Sequence, residues 1–400
     1  MRGRKREFIL LKKLVFTIFI FGIYILGTNV PLYGVDVSEY MNKDVGMDRF
    51  LIQTISGDLN QCSIFNLGIF PYMISSLLIQ IIYALKTEES KKRVSAGRRN
   101  SVTLLIAIII SFIQALTYLD KLNFSFPKGF ETLGYTLVFW EMVAGSMVII
   151  FLCSQNKRYG LGGQTIIILA NILCSITTNI SGYSIEEIII PILLSLVVML
   201  VVILMENTEF RISLQRISIH NIYADKNYLA IKMNPVGVMP AMFSSAFFLL
   251  PQLAVMLVLY FFPDNIVLLL WQKELSLTRI PGIVVYLIIL YILTICFSFL
   301  FINPKDITEQ FLKSGDSLLN IHMGKETQRY LRGTMLRISL FSATVMAVCL
   351  GIPLYLQYLG RIEGTLNTLP SSIMMLTGVI CTLLRETEAI KNMESYKTFI

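Results

Sequence analysis

The chain has 400 residues, 55% of them hydrophobic, with mean hydropathy +0.68 and a formal net charge of +8. So much apolar material excludes a soluble enzyme carried on a single anchor. The positive charge sits in short segments beside apolar runs, so membrane topology and anionic headgroups account for it and nucleic acid is not an expected partner.

Ten apolar runs follow in chain order, at 14–30, 69–85, 101–119, 132–153, 164–180, 186–204, 237–262, 280–302, 335–357 and 369–384. A bilayer core about 30 Å thick takes about 20 helical residues. Only helices and closed barrels satisfy their own backbone inside lipid, so each run is predicted to be a spanning helix. The first follows a basic stretch, as a secretory signal would, but LGTNVPLYGVD after it holds no small-x-small cleavage site. A retained helix is expected there.

Between the first two runs lies SGDLNQCSIFNLG, residues 56–68, too short and too polar to cross. It reads either as an external loop with a short amphipathic turn or as a re-entrant plug inside a water-filled vestibule. The inner insertions 205–236 and 303–333 have room for a hairpin or a short helix pair. They are expected to be docking surfaces rather than domains.

Orientation follows from Lys and Arg. With the N-terminus inside, 27 of the 34 basic residues fall on the cytoplasmic side, and the inverted topology breaks the positive-inside rule. Both termini are predicted to be cytoplasmic, in a multi-pass protein of a bacterial cell membrane.

Two stretches echo each other: PYMISSLLIQ from Pro71 and PAMFSSAFFLLPQ from Pro240. Both read Pro-x-Met-x-Ser-Ser and both open an apolar helix, the second and the seventh. Five spans separate them, so the copies would lie in opposite orientations, as in inverted-repeat transport proteins.

Catalytic and metal signatures are missing. His220 and His322 both lie in polar loops, and no His-Glu-x-x-His, Gly-x-Ser-x-Gly or phosphate-cradling loop with its Lys occurs. YGLGG at 159–163 reads as a tight turn. The six cysteines, Cys62, Cys153, Cys174, Cys296, Cys349 and Cys381, are scattered and form no expected disulfide or metal site. No enzyme and no cofactor are expected. An ion-coupled secondary transporter needs ionisable groups at the midplane, where Glu141 is the clearest candidate and Glu186 and Glu187 sit at an outer edge.

At this point the residues resemble a known family. LNQCSIFNLGIFPYMISSLLIQII is similar to the plug and second helix of SecY, the channel subunit of the general protein-translocation machinery, and KMNPVGVMPAMFSSAFFLLPQ to its seventh helix. GSMVIIFLCSQNKRYGLGG and INPKDITEQFLKSGDSLLNIHMGKETQRYLRGTMLRISL resemble the fourth-to-fifth helix junction and the loop before the ninth helix. The order is right and the likeness spans essentially the whole chain.

The resemblance implies an all-α polytopic membrane protein, with ten transmembrane helices in two inverted five-helix halves, 1–180 and 181–400, around a central pore. Its apolar ring would fall on Met73, Leu77, Leu169, Leu173, Met242 and Met375. The plug would take Asp58, Leu59, Asn60, Gln61, Cys62, Ser63, Ile64 and Phe65, and the lateral gate Ser75, Ser76, Ser244 and Ser245. An apolar constriction dewets and blocks ions, while unbranched Met re-packs around a sliding polypeptide.

Two departures from the family stand out. NIHMG places His322 where members typically carry an Arg, and the 205–236 loop is lightly charged, holding Arg211 and Arg216. These loops, with Lys313, are where the SecA motor docks in the family. Altered docking chemistry points to the accessory paralogue, whose implied cargo is serine-rich glycosylated adhesins moved by a SecA-type ATPase. The alternative is the housekeeping channel. A small SecE-like membrane subunit and a secretory preprotein with a signal sequence are the other implied partners.

Overall fold

The computed structural model describes residues 2–34, 63–85, 96–119, 124, 131–180, 183–216, 228–245, 247–248, 251, 255, 267, 271, 274–319, 321–361 and 364–396. The elements are α1 (Arg2–Thr28), α2 (Phe70–Leu85), α3 (Ala96–Leu119), α4 (Glu131–Tyr159), α5 (Thr165–Ile180), α6 (Ile185–Asn207), β1 (Glu209–Arg216) and β2 (Tyr228–Lys232). A helical run at 239–245, here α7, is followed by α8 (Ile280–Phe301), α9 (Pro304–Ser314), β3 (Asp316–Leu318), α10 (Lys325–Tyr358) and α11 (Thr368–Tyr396). Among the described residues seven helices are long and apolar enough to cross a membrane, and two shorter apolar helices lie at Phe70–Tyr83 and Thr165–Thr177. Much of the predicted span over 237–262 lies outside the described residues.

Several helices outrun the apolar stretches that announced them. α1 starts at Arg2 and α10 at Lys325, about ten residues before the hydrophobic run in each case. Lys, Arg, Glu and Gln are good helix formers, so helix continues where hydropathy stops. The expectation of an all-α chain needs one correction, because the segments 205–236 and 303–333 carry strands.

β1 is central in a three-stranded antiparallel sheet of order β2-β1-β3. Phe210 faces Ile231 and Ile212 faces Leu229 on one side, and Leu214 faces Leu318 on the other. Along β1, Ile212 is buried between exposed Arg211 and Ser213, the two-residue alternation of a half-covered strand. Ile212, Ile231 and Leu318 form a cluster with Leu331, Met335 and Ile338 of α10, and Ile307 and Phe311 of α9 pack against it. Outside the apolar runs such burial stabilises by roughly 1.5–3 kcal/mol per fully buried side chain. α9 is held at its start by the Asn303 side chain, which accepts from the Lys305 N–H at 3.1 Å, and Pro304 at the first position needs no donor.

The chain divides into two compact units, residues 1–182 with 379–400, and residues 183–378. In the first, α1 packs on α4 and α5, and α3 lies between α2 and α4. Leu32, Leu67, Ala115, Val138, Met142 and Val143 make one of its buried clusters. In the second, α8 runs along α10, which also touches α6 and α9. Lipid offers apolar groups no penalty, so buried hydroxyls and close packing matter more within the spans. Ser146 of α4, which donates to Ser111 of α3 at 3.1 Å, is one such contact.

Candidate functional site

The two copies of the sequence echo fold alike. Gly68 has φ 56° and Gly237 has φ 71°, each three residues before the motif proline. Such left-handed backbone favours glycine. The Ile69 carbonyl accepts from the N–H groups of Tyr72 and Met73, both at 3.1 Å, and the Val238 carbonyl accepts from Ala241 and Met242 at 3.1 and 3.3 Å. Ser75 then donates to the Tyr72 carbonyl at 2.9 Å and Ser76 to that of Met73 at 2.8 Å. Ser244 and Ser245 repeat this on Ala241 and Met242 at 2.8 and 3.0 Å. All four serines named for the lateral gate thus bond within their own helices. Backbone-satisfied hydroxyls make a helix surface cheap to expose to lipid. Ser244 is also 3.1 Å from the Tyr286 hydroxyl of α8.

The ring positions differ in exposure. Met73 and Leu77, one turn apart on α2, are buried, as are Met242 on α7 and Met375 on α11. On α5, Leu169 is half-buried and Leu173 is 40% exposed.

Of the predicted plug, Asp58 to Cys62 lie outside the described residues, and Ser63, Ile64 and Phe65 begin a tight series of turns. Ser63 bridges Pro31, and the Ile64 N–H donates to the Val30 carbonyl at 3.0 Å, tying the segment to the chain just after α1. Asn66 donates its N–H to Ser63 and Gly68 to Phe65. Gly145 of α4 lets this backbone approach, since a Cβ there would overlap the Ile64 carbonyl. Asn66 is 1% exposed, and its Nδ2 has no hydrogen-bond partner among the described residues.

Three buried polar hubs were not singled out by sequence reading. Asn156, ending α4, donates from Nδ2 to the carbonyls of Leu161 and Gly163 at 2.8 and 2.9 Å, and its Oδ1 is 3.1 Å from the Thr17 hydroxyl of α1. Thr17 accepts from the Leu161 N–H, and Glu386 of α11 accepts from Gly162 at 3.0 Å, so the 159–163 turn is held by three helices. In the other unit Asn234 donates to Glu206 of α6 at 3.2 Å and accepts from Ser342 of α10 at 3.1 Å, joining the foot of β2 to both helices. The third hub is the hydroxyl of Tyr24 in α1, which donates to Asn171 Oδ1 in α5 at 2.5 Å. A lone Asn or Thr in an apolar helix was the available signal, but its partner is more than a hundred residues away.

Glu141, the candidate proton carrier of a transporter, accepts from the Tyr33 N–H at 3.1 Å and so braces the segment after α1. The docking candidates sit on the polar elements. Arg211 on β1 is exposed, with its guanidinium 4.6 Å from the Tyr228 ring centroid and 3.9 Å from the Glu209 carboxylate. Arg216 pairs through its backbone with Asp316. Lys313, in the last turn of α9, and His322, before α10, are exposed, and the His322 carbonyl accepts from the Thr327 hydroxyl at 2.8 Å. Among the described residues no group of three or more His, Cys, Asp or Glu could hold a metal ion.

A family model described as SecY matches residues 63–384. The chain is 32% identical over 397 residues to the accessory Sec system protein translocase subunit SecY2 of Streptococcus agalactiae serotype Ia, covering 97% of this chain and 95% of the relative. The corresponding protein of Leuconostoc gelidum subsp. gasicomitatum is 28% identical over 412 residues, at 97% and 96% coverage. A solved structure described as a protein conducting channel superposes with TM-score 0.65 at 16% identity, over 96% of this chain and 93% of that one. Sec61 of the canine ribosome-channel complex superposes with TM-score 0.59 at 14% identity, over 96% and 93%.

Proposed function

The chain belongs to the SecY family, and from that premise we propose that it is the channel subunit of an accessory protein translocase. It passes unfolded secretory polypeptides across the cytoplasmic membrane. The observation that carries the accessory assignment is end-to-end likeness to relatives bearing that name, at 32% identity over 97% of the chain. His322 in place of an arginine and the small net charge of the 205–236 loop support it, because a dedicated motor needs a docking face of its own.

In this reading ten spans in two halves, 1–180 and 181–400, surround the pore, with both termini cytoplasmic. Met73, Leu77, Leu169, Leu173, Met242 and Met375 form an apolar ring that dewets when empty. A signal sequence lodges between the helices that carry Ser75, Ser76, Ser244 and Ser245, and the 56–68 plug leaves the pore. A SecA-type ATPase docked around Arg211, Arg216, Lys313 and His322 then drives the chain through the pore. Self-satisfied serines on both gate helices support this role, since each surface can face protein, lipid or a signal helix without orphaned donors. A SecE-like helix completes the assembly, and serine-rich glycosylated adhesins are the cargo.

Deleting the gene tests the reading. Loss of one large adhesin from the cell surface, with bulk secretion intact, is the expected result. Loss of secretion in general assigns the housekeeping role instead, and an unchanged secretome removes the translocase reading altogether.

A further inference from the structure

The base of the proposed plug rests on an aromatic seat. Phe65 lies flat against Tyr24 of α1, with ring centroids 5.7 Å apart and planes 7° from parallel. Gly27, nearly one turn further along α1, makes the space, for a Cβ there would overlap the Phe65 ring. Both rings are buried.

A phenylalanine at position 24 would stack equally well. What tyrosine adds is the hydroxyl, and that hydroxyl donates to Asn171 Oδ1 at 2.5 Å. The bond is intramembrane and buried at both ends, with Tyr24 1% and Asn171 8% exposed. An aromatic side chain can swing about χ1 between rotamer wells. Tying the far end of the ring to a second helix holds it in the one well in which it faces Phe65. Asn171 sits about 200° around α5 from Leu169 and Leu173, because two residues span that angle on a helix. The bond therefore grips the back of the helix whose front carries two proposed ring residues.

We infer that Tyr24 and Asn171 form a latch for the plug, in which Asn171 holds the Tyr24 ring in place and Tyr24 seats Phe65. Both are positioning residues. When the plug departs, the Phe65 stack breaks and the bond between Tyr24 and Asn171 does not, so the seat persists and guides resealing. The inference rests on the reading of 56–68 as a plug, and the test separates the two.

The full-length chain is reconstituted in lipid vesicles and passive ion flux is recorded without substrate, for Tyr24→Phe, Phe65→Ala, the double variant and a deletion of 56–65. Tyr24→Phe keeps the ring and the fold, so its abundance and unfolding temperature check that only the latch is touched. Loss of the one hydrogen bond is expected to raise leak about fivefold. Phe65→Ala is expected to leak more, and the double variant no more than Phe65→Ala, because Tyr24 acts through Phe65. A leaky deletion with a silent Tyr24→Phe overturns the latch alone, as does an additive double variant. A silent deletion overturns the plug reading, and the latch with it.

Discussion

The Met73 and Met242 carbonyls accept hydrogen bonds from serines three residues on, Ser76 at 2.8 Å and Ser245 at 3.0 Å. Around each methionine the chain repeats one local form, from the left-handed glycine at 68 or 237 to the paired serines. Sequence separates the copies by 169 positions, and the backbone treats them as equivalents. Each methionine named for the proposed constriction is thus held in the same way near the start of its own apolar helix.

Polar substitution at either methionine is expected to loosen that constriction. An amide in an apolar, dewetted site costs about 1–3 kcal/mol unless hydrated. Met73→Asn or Met242→Asn should therefore raise the open fraction by about five- to hundredfold. Ion flux through vesicles and export of cargo with a weakened signal sequence measure this, and unchanged values for both variants remove the gating role.

Gly145 is expected to tolerate no side chain. A Cβ would overlap the Ile64 carbonyl, and overpacking costs about 1–3 kcal/mol. Gly145→Ala should displace the 63–68 turns and show as faster hydrogen exchange at Ile64 and Gly68, with a matching rise in leak. Exchange as slow as in the parent chain shows that the turn is not seated there.

Asn66 carries a buried Nδ2 without a partner among the described residues, and a lost amide bond of this kind costs about 1–3 kcal/mol. Asn66→Leu keeps the branch at Cγ and has no such group, so it is expected to hold the turn more firmly. Translocation should start later after cargo is added while its final yield is kept. Earlier onset contradicts this account.

The Asn156 hub predicts a stability effect without a transport signature. Asn156→Ala leaves the Leu161 and Gly163 carbonyls short of a partner, while the Thr17 hydroxyl keeps the Lys13 carbonyl. A loss of about 1–3 kcal/mol for each group left unsatisfied is expected, read as a lower unfolding temperature in nanodiscs.

Arg211 predicts the reverse pattern. Its ring contact and its 3.9 Å approach to Glu209 are exposed, so Arg211→Ala should cost no more than about 1 kcal/mol of stability. Motor affinity, measured by titrating the ATPase onto channel-bearing vesicles, is expected to fall. An unaltered titration moves the docking face elsewhere.

The spans were legible because lipid enforces one rule on every helix, and a run such as 185–207, with mean hydropathy 3.3, needs no partner to declare itself. The two echoed turns were half legible: Pro-x-Met-x-Ser-Ser was visible, while the glycine three residues upstream has no side chain to draw notice. A hairpin in 205–236 was one of the two forms expected, but its third strand escaped because β3 follows β1 about a hundred residues later and a three-residue strand such as Asp316–Leu318 has no period to detect. Tyr24, Asn171 and Asn156 read as isolated polar residues in apolar helices until their distant partners are in view.

The sheet also imposes an order on biosynthesis. β1 and β2 can close as a hairpin when residue 232 leaves the ribosome, but the other edge of β1 waits for Asp316–Leu318. Until α8 has been made, Leu214 and its neighbours present an open strand edge, which invites mispairing. The newborn protein is thus most vulnerable in the interval between β2 and β3, where a chaperone would shield it best.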